Sequence, residues 1–367
     1  MSDKFTFLTN NEQDIKKLIY AMEKYVKICS NKIDLDILNF ILKSFKNNDL
    51  SLLTPQESHF LNHHDLEIWA QYLIFRYKFK NYPKNKIVTD FPIYLLIEPV
   101  SSCNLRCTMC FQIDKTFSGD KKFMGQMKLD LFKKIIDQAF EGGTKAITLA
   151  SRGEPTLHPE LGEMLEYCTG KFFELKLNTN ATRLNEKLIH KILQSDVTDL
   201  VFSIDSYEKE DYESIRVNGV FENVLNNIKL VKEIKEKYYP NSNCATRISG
   251  VKVNKNQDPE KFKIFWEKYV DHVVMIEMEL RWDTYNNPKE IMGKGPCGYL
   301  WERMYVWYDG VCNPCDVDYK SELALGSVKE NSLKEIWHGE KYKEFRQLHS
   351  DAKRFTLSPC DKCSVGC

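Results

Sequence analysis

The chain has 367 residues, 52 Lys plus Arg against 52 Asp plus Glu, and 43% hydrophobic residues, a balance that describes a globular protein of more than one domain and excludes a disordered one. Zero formal charge gives no electrostatic reason to expect nucleic acid or an anionic membrane as partner. With no signal-like start and no apolar run near the roughly twenty residues that span a bilayer, a cytoplasmic location is expected. Thiols stay reduced there, so twelve cysteines clustered at 103–110 and 297–367 point to metal rather than to disulfides.

Residues 1–90 read as a helical region. Ile15, Leu18, Ile19, Met22 and Val26 recur at helical spacing over 14–28, and Leu38, Ile41 and Leu42 repeat the pattern over 35–45. Thr54-Pro55-Gln56-Glu57 is a capping box with proline at the first helical position. A further helix over 66–79 carries Trp69, Tyr72, Leu73 and Phe75. His59, His63 and His64 have no cysteine or acidic partners arranged beside them and read as surface or capping groups.

From Phe91 the rhythm changes. Short β-rich runs at 93–98, 146–150, 174–178, 200–204, 247–253 and 273–278 alternate with helical patterns at 130–140, 159–168, 186–193, 220–237 and 259–269. Six such units predict an α/β fold, a partial (β/α)6 barrel of parallel strands joined by right-handed crossovers. Its active-site residues belong at the C-terminal ends of the strands. The expected domains are 1–90, helical; 91–290, the partial barrel; and 291–367, a small cysteine-rich domain.

The first strand is followed by Cys103-Asn104-Leu105-Arg106-Cys107-Thr108-Met109-Cys110. Three thiols so close leave one over in any disulfide pairing, which favours metal or cluster ligation. A four-iron cubane held by three cysteines keeps one iron open for a ligand that is not protein. Spacing alone leaves open a zinc site with a distant fourth ligand, or three unrelated buried thiols. After the second strand, Ser151-Arg152-Gly153-Glu154-Pro155 combines a glycine that permits close backbone approach with a carboxylate able to hold an ammonium group. Asn180 follows the third strand, Ser203 ends the fourth, and Arg216 lies thirteen residues beyond Ser203. Taken singly, such groups read equally well as caps or salt-bridged surface residues.

Together, the cysteine spacing and the order of these loops resemble the radical S-adenosylmethionine (radical SAM) superfamily over residues 91–290. Arg152-Gly153-Glu154-Pro155 is similar to its Gly-Gly-Glu-Pro segment, with arginine replacing the first glycine and free, on that reading, to reach a substrate. The resemblance implies that Cys103, Cys107 and Cys110 hold a catalytic 4Fe-4S cluster. It implies that Met109 lies near the adenine of S-adenosylmethionine, that Glu154 binds the methionyl amino group with Gly153 beside it in the cofactor-binding segment, and that Asn180, Ser203 and Arg216 help hold ribose and carboxylate. It further implies reductive cleavage of S-adenosylmethionine, hydrogen abstraction from a substrate by the resulting 5'-deoxyadenosyl radical, and a flavodoxin- or ferredoxin-type reductant.

The last segment interleaves Cys297, Cys312, Cys315, Cys360, Cys363 and Cys367 with Trp301, Tyr305 and Trp307, an Asp309-Gly310 hairpin signal, and a helix expected over 333–348. Two CxxC pairs suit tetrahedral zinc equally well. The segment resembles the SPASM/twitch extension of radical SAM enzymes, which implies an auxiliary 4Fe-4S cluster. The spacings of Cys297, Cys315, Cys360 and Cys363 are similar to the single-cluster arrangement of members that oxidise an aminocyclitol, with Cys312 and Cys367 then spare. Glu277, Arg281, Asp283 and Tyr285 are candidate substrate contacts or, equally, interdomain salt bridges.

The expected function is that of a radical SAM oxidoreductase removing two electrons from a hydroxyl of a sugar-like or aminocyclitol substrate, because residues 1–90 carry little of the strand signal of a peptide-recognition module. Crosslinking or epimerisation of a ribosomally made peptide is the alternative. A non-catalytic iron-sulfur binding module is disfavoured by the presence of all three loop cysteines and Glu154.

Overall fold

The computed structural model describes residues 12–278, 283–286, 293 and 295–364, and the chain divides into two compact units between Ile87 and Val88. The described part of the first unit contains helices Glu12–Val26, Lys32–Lys46, Pro55–His63 and Leu66–Asn81. Their spaced apolar residues are the buried ones: Leu18 and Met22, Leu38 and Ile41, Trp69, Tyr72, Leu73 and Phe75. Thr54 N–H donates to Glu57 at 2.9 Å, starting the third helix. The buried Glu57 carboxylate also takes Arg76 Nε at 2.6 Å and Lys80 Nζ at 2.8 Å. Burial alone would raise its pKa; the two cations and Thr54 outweigh it and hold the carboxyl below its ordinary value. His63 and His64 donate from Nδ1 to the carbonyls of His59 and Phe60, a helix-end role.

The second unit holds strands β1 Tyr94–Ile97, β2 Arg106–Cys107, β3 Ala146–Leu149, β4 Glu174–Thr179, β5 Asp199–Ser203, β6 Arg216–Val217, β7 Ala245–Lys252, β8 His272–Glu277, β9 Arg303–Val306, β10 Val311–Asn313 and β11 Gly326–Ser327. One sheet runs β11-β10-β9-β1-β3-β4-β5-β7-β8, and β2 pairs with β6 apart from it. From β1 through β3, β4, β5 and β7 to β8 every pairing is parallel. With the helices between them these strands form the partial (β/α)6 barrel.

Successive residues of these strands face opposite ways. Leu95, Ile97, Ile147, Leu149, Leu175, Leu177, Leu200, Phe202 and Ile248 form one core with the crossover helices, among them Phe132, Ile136, Leu165, Ile192 and Ile228. The alternate residues line the barrel interior. A parallel strand dry on both faces reads as a continuous apolar run, whereas β4 reads Glu174-Leu175-Lys176-Leu177-Asn178-Thr179. Its interior face is therefore polar.

The small cysteine-bearing C-terminal domain continues the barrel sheet. Strand β9 runs parallel to β1, and β10 returns antiparallel to β9. The turn between them closes with Gly310 N–H on Trp307 O at 2.9 Å, and Gly310 has a φ of +89°, which glycine adopts without strain. The helix expected over 333–348 is two helices, Leu333–Trp337 and Glu340–Ser350. Gly339, with an extended ψ of 161°, starts the second. In an unbroken helix Trp337 and Tyr342 would lie roughly 140° apart around the axis. The break brings both into the core with ring centroids 4.9 Å apart and Arg346 stacked on each. Among the described residues, no helix is long and apolar enough to cross a membrane.

Candidate active site

The loop bearing the three cysteines leaves the C-terminal end of β1. Cys107 lies on β2, where its backbone pairs with Arg216 of β6, and Thr108 N–H donates to Ile215 O at 3.0 Å. This short ladder delivers Arg216 to the thiols. Arg216 is buried, and its Nε donates to Asp205 Oδ2 at 2.5 Å while Asp205 Oδ1 accepts Val251 N–H at 2.8 Å. Burial opposes the charge of Arg216, but Asp205 and the Cys107 thiol hold its pKa above the ordinary value. Burial pushes the Cys103 thiol up to about 11 and that of Cys110 up to about 12, and raises Cys107 as well. Cys103 and Cys110 both feel Cys107, and Arg216 pulls all three down. Desolvated thiols crowded in this way ionise readily only beside a cation, which is the environment a metal cluster supplies.

Gly153 approaches the cysteine loop so closely that a Cβ would sit 2.2 Å from Val100 O and 2.5 Å from Ser102 O, so the position admits glycine alone. Glu154 follows, its N–H on Ser102 O at 3.0 Å. Its buried carboxylate accepts Thr156 N–H at 3.1 Å, Thr156 Oγ1 at 2.6 Å and Thr179 Oγ1 at 2.6 Å on Oε1, and Asn180 N–H at 2.7 Å on Oε2. The plane of the carboxylate is thereby fixed, and Oε2 retains acceptor capacity for an ammonium group. Burial raises the pKa of Glu154 despite these donors, and a bound cation would restore its charge. Asn180 Nδ2 reaches Cys103 Sγ at 3.9 Å and Asn104 Oδ1 at 3.0 Å, joining the glutamate loop to the cysteine loop. Met109 is half-buried on that loop, and Ser203 is half-buried at the end of β5, paired in register with Ser249 of β7.

Arg152 turns inward, contrary to the expectation that it reaches a substrate. It is 3% exposed and grips the fully buried Glu98 with two bonds, Nε to Oε2 at 2.7 Å and Nη2 to Oε1 at 2.6 Å. Nη1 donates to Tyr319 O at 3.0 Å, and the guanidinium lies 4.2 Å over Trp307. The cause is Glu98, a carboxylate at the dry end of β1 that needs a cation beside it. The bend that aims the arginine inward falls at Ser151, with a φ of +123° that disfavours any residue with a Cβ.

Among the C-terminal thiols, Cys315 and Cys363 pack with Val317 and Tyr299, and Cys360 lies near enough to both for their charges to couple. Burial pushes Cys360 up to about 12 and raises Cys315 well above its ordinary value. Cys297 precedes the helix Tyr299–Glu302 and donates its N–H to His349 Nδ1 at 3.0 Å. Cys312 is fully buried in the main core, its thiol toward Gly310 O. Cys367 and Arg281 lie outside the described residues. Tyr285 donates to Asp318 at 2.8 Å, and burial pushes Asp318 up to about 6. Asp283 accepts Asn286 Nδ2 at 2.7 Å, and the exposed Glu277 pairs with Lys252 at 3.6 Å.

The interior face adds Lys176, Asn178, Arg247 and Asn313, none of which belongs to a recognised motif. Burial, then the nearby Arg247, push Lys176 down to about 8, with Asp199 and Glu174 acting the other way. The one sign of Lys176, Asn178 and Arg247 in the sequence is the period-two polarity of β4 and β7, and Asn313 on β10 has none.

Two family models match these same regions: the Radical SAM superfamily over residues 97–263 and the SPASM iron-sulfur cluster-binding domain over residues 297–364. The chain belongs to the radical SAM superfamily. This radical SAM enzyme is 26% identical over 332 residues to the cysteine-type anaerobic sulfatase-maturating enzyme of Clostridium novyi, covering 74% of this chain and 87% of the relative. It is 26% identical over 319 residues to the tungsten-containing aldehyde ferredoxin oxidoreductase cofactor-modifying protein of Pyrococcus furiosus, with the same two shares of 74% and 87%. The solved structure of Streptococcus suis SuiB bound to precursor peptide SuiA shares the fold, with a TM-score of 0.55 at 16% identity over 91% of this chain and 85% of that one. The cofactors of this radical SAM enzyme are S-adenosylmethionine, the 4Fe-4S cluster that binds it, and an auxiliary cluster in the SPASM segment. The crowded thiols, the fixed Glu154 carboxylate and the C-terminal thiol group fit that set.

Replacing Arg152 by Met leaves Glu98 buried and unpaired, which costs roughly 3–5 kcal/mol. In urea unfolding, Arg152→Met is expected to lose more stability than the double variant Glu98→Gln/Arg152→Met, which buries no lone charge. Equal losses would show that the pair contributes packing alone.

Proposed function

We propose that this radical SAM enzyme removes two electrons from a hydroxyl of a carbohydrate-like small molecule held in the barrel interior. One observation carries the reading: Cys315 packs on Leu96, Tyr305 and Trp307, on the interior face that β1 shares with β9 and that rises to the Cys103 loop. A molecule in that interior lies between two groups of thiols. In this proposal Cys103, Cys107 and Cys110 hold the catalytic cluster. Met109, Gly153, Glu154, Asn180, Ser203 and Arg216 hold S-adenosylmethionine, and Cys297, Cys315, Cys360 and Cys363 hold the auxiliary cluster. When bound, these groups supply one-electron transfer and hydrogen-atom abstraction.

The rest is the work of the chain's own residues. Glu154 fixes an ammonium group, Asp205 keeps Arg216 charged and aimed at the cysteine loop, and Leu96, Tyr305 and Trp307 exclude water from the interior. Lys176, pushed down to about 8, is an interior group whose neutral form can accept the proton that an oxidised hydroxyl releases. A flavodoxin- or ferredoxin-type protein is the proposed reductant, and the reduced thiols suit a cytoplasmic compartment. The helical character of the described part of the first unit supports a small molecule as substrate. Peptide modification is the second reading, favoured by the Clostridium novyi relative, which is a sulfatase-maturating enzyme.

Anaerobically reconstituted protein is expected to hold roughly eight irons per chain, about four for each full site. Replacing Cys103, Cys107 and Cys110 together by Ala should leave about four irons and abolish S-adenosylmethionine cleavage; undiminished iron would sink this ligand assignment. Cys315→Ala should lose the auxiliary cluster, whereas Cys312→Ala, whose thiol sits in the apolar core, should retain it, and the opposite pattern would assign the ligand to Cys312. With a carbon-deuterated alcohol substrate, the label should appear in 5'-deoxyadenosine and the product should be two hydrogens lighter than its unlabelled precursor. A redox-neutral isomer carrying solvent hydrogen would instead identify an epimerase.

A further inference from the structure

The interior face of the barrel carries polar groups that the chain itself does not satisfy. Asn313 is 0% exposed, and neither its Oδ1 nor its Nδ2 has a hydrogen-bond partner. Asn178 Oδ1, Arg247 Nε and Ser151 Oγ are also buried without partners. Strand register places the asparagines and the arginine on one face. Asn313 pairs with Tyr305, Tyr305 with Leu96, Leu96 with Thr148, and Thr148 with Lys176. One step further along the strands, Asn178 pairs with Val201, and Val201 with Arg247. The sequence neighbours Leu177, Leu200 and Ile248 all point to the opposite, helix-covered face. The large majority of buried polar groups in folded proteins are paired, so several orphans on one interior face point to a partner from outside the chain.

We propose that Asn313, Asn178 and Arg247 form the recognition surface for a neutral polyol, a compact molecule with adjacent hydroxyl groups; the proposal rests on the small-molecule reading above. The chemistry of the orphans selects this class. Two carboxamides and a serine hydroxyl offer acceptors as well as donors, and a hydroxyl group can answer both. An anionic ligand would face the carboxamide oxygens of Asn178 and Asn313 acceptor to acceptor. The interior amine does not favour it either, because Lys176 already has the carboxylates of Asp199 and Glu174 near it. An apolar ligand would leave every one of these groups unpaired. Tyr305, the register partner of Asn313, packs against Cys315, so a hydroxyl held by Asn313 is on the auxiliary-thiol side of the interior.

The test reads binding and stability rather than turnover, on the full chain reconstituted anaerobically with S-adenosylmethionine bound. The probes are myo-inositol, glucose and a serine-containing hexapeptide, each followed by isothermal titration. At least one polyol is expected to bind saturably, and Asn313→Leu and Asn178→Leu are each expected to weaken it at least tenfold. Because Asn313→Leu removes a buried amide that lacks partners, it should also raise the melting temperature of the protein without polyol. Binding of neither polyol, binding of the hexapeptide alone, polyol affinity unchanged in both variants, or a lower melting temperature for Asn313→Leu each overturns the proposal. A polyol that binds as expected but is never oxidised would reject the oxidation reading and leave the recognition surface standing, so the two failures are distinguishable.

Discussion

The ion pair between Glu98 and Arg152 is the contact through which the rest of the site is assembled. Glu98 ends β1 with no exposure to solvent, and its carboxylate gathers Arg152 from the loop after β3 and the Tyr308 N–H, at 3.3 Å, from the turn after β9. Arg152 in turn donates to Tyr319 O. Withdrawing both charges from water costs several kcal/mol each, and only a two-bonded geometry with further donors offsets it. The cost falls on any arrangement that separates the three segments. This pair therefore specifies which loop meets which strand more than it adds net stability.

That specification reaches the site through very short chain segments. Gly153 follows Arg152 directly and lies against the backbone of Val100 and Ser102, so anchoring the arginine presses the glutamate loop onto the cysteine loop. Glu154 is then one residue away, within reach of Thr179 at the end of β4 and of Asn180 just after it, and Asn180 touches Cys103. On the other side, Trp307 under the guanidinium belongs to the cluster that packs Cys315. One buried contact thus sets the positions of both thiol groups relative to the barrel interior. The strain at Ser151 is tolerated because the ion pair over-determines the bend.

What the sequence made legible was local. The cysteine spacing, the glycine and carboxylate after the second strand, the Asp309-Gly310 turn and the six alternating strand and helix patterns each depend on neighbours within a few residues, and the structure contains every one of those elements. Arg152 was misjudged because its partner lies 54 residues away in sequence, and nothing near Arg152 announces a buried carboxylate. The helix over 333–348 was misjudged because helical spacing persists on both sides of Gly339, while the reason for the break, the joint burial of Trp337 and Tyr342, is tertiary. Asn313 was invisible for a related reason: an asparagine beside a hairpin reads as a turn residue. Only the register with Tyr305 puts it inside the barrel.

The interior polarity that suits a ligand works against the empty fold, and Lys176 shows the sign of the effect. Its pKa falls from an ordinary 10.5 to about 8, first through burial and then through Arg247, against the opposing pull of Asp199 and Glu174. Below about 8 the amine is charged in both the folded and the unfolded chain, and the folded state bears the whole burial penalty. Between about 8 and 10.5 the folded protein has released the proton while the unfolded chain retains it, so stability rises with pH across that window. An apolar residue at this position would remove the penalty. A desolvated amine and unpaired carboxamides on the same face are costs of this kind, and the helix-packed face of the same strands supplies the stability that this face does not.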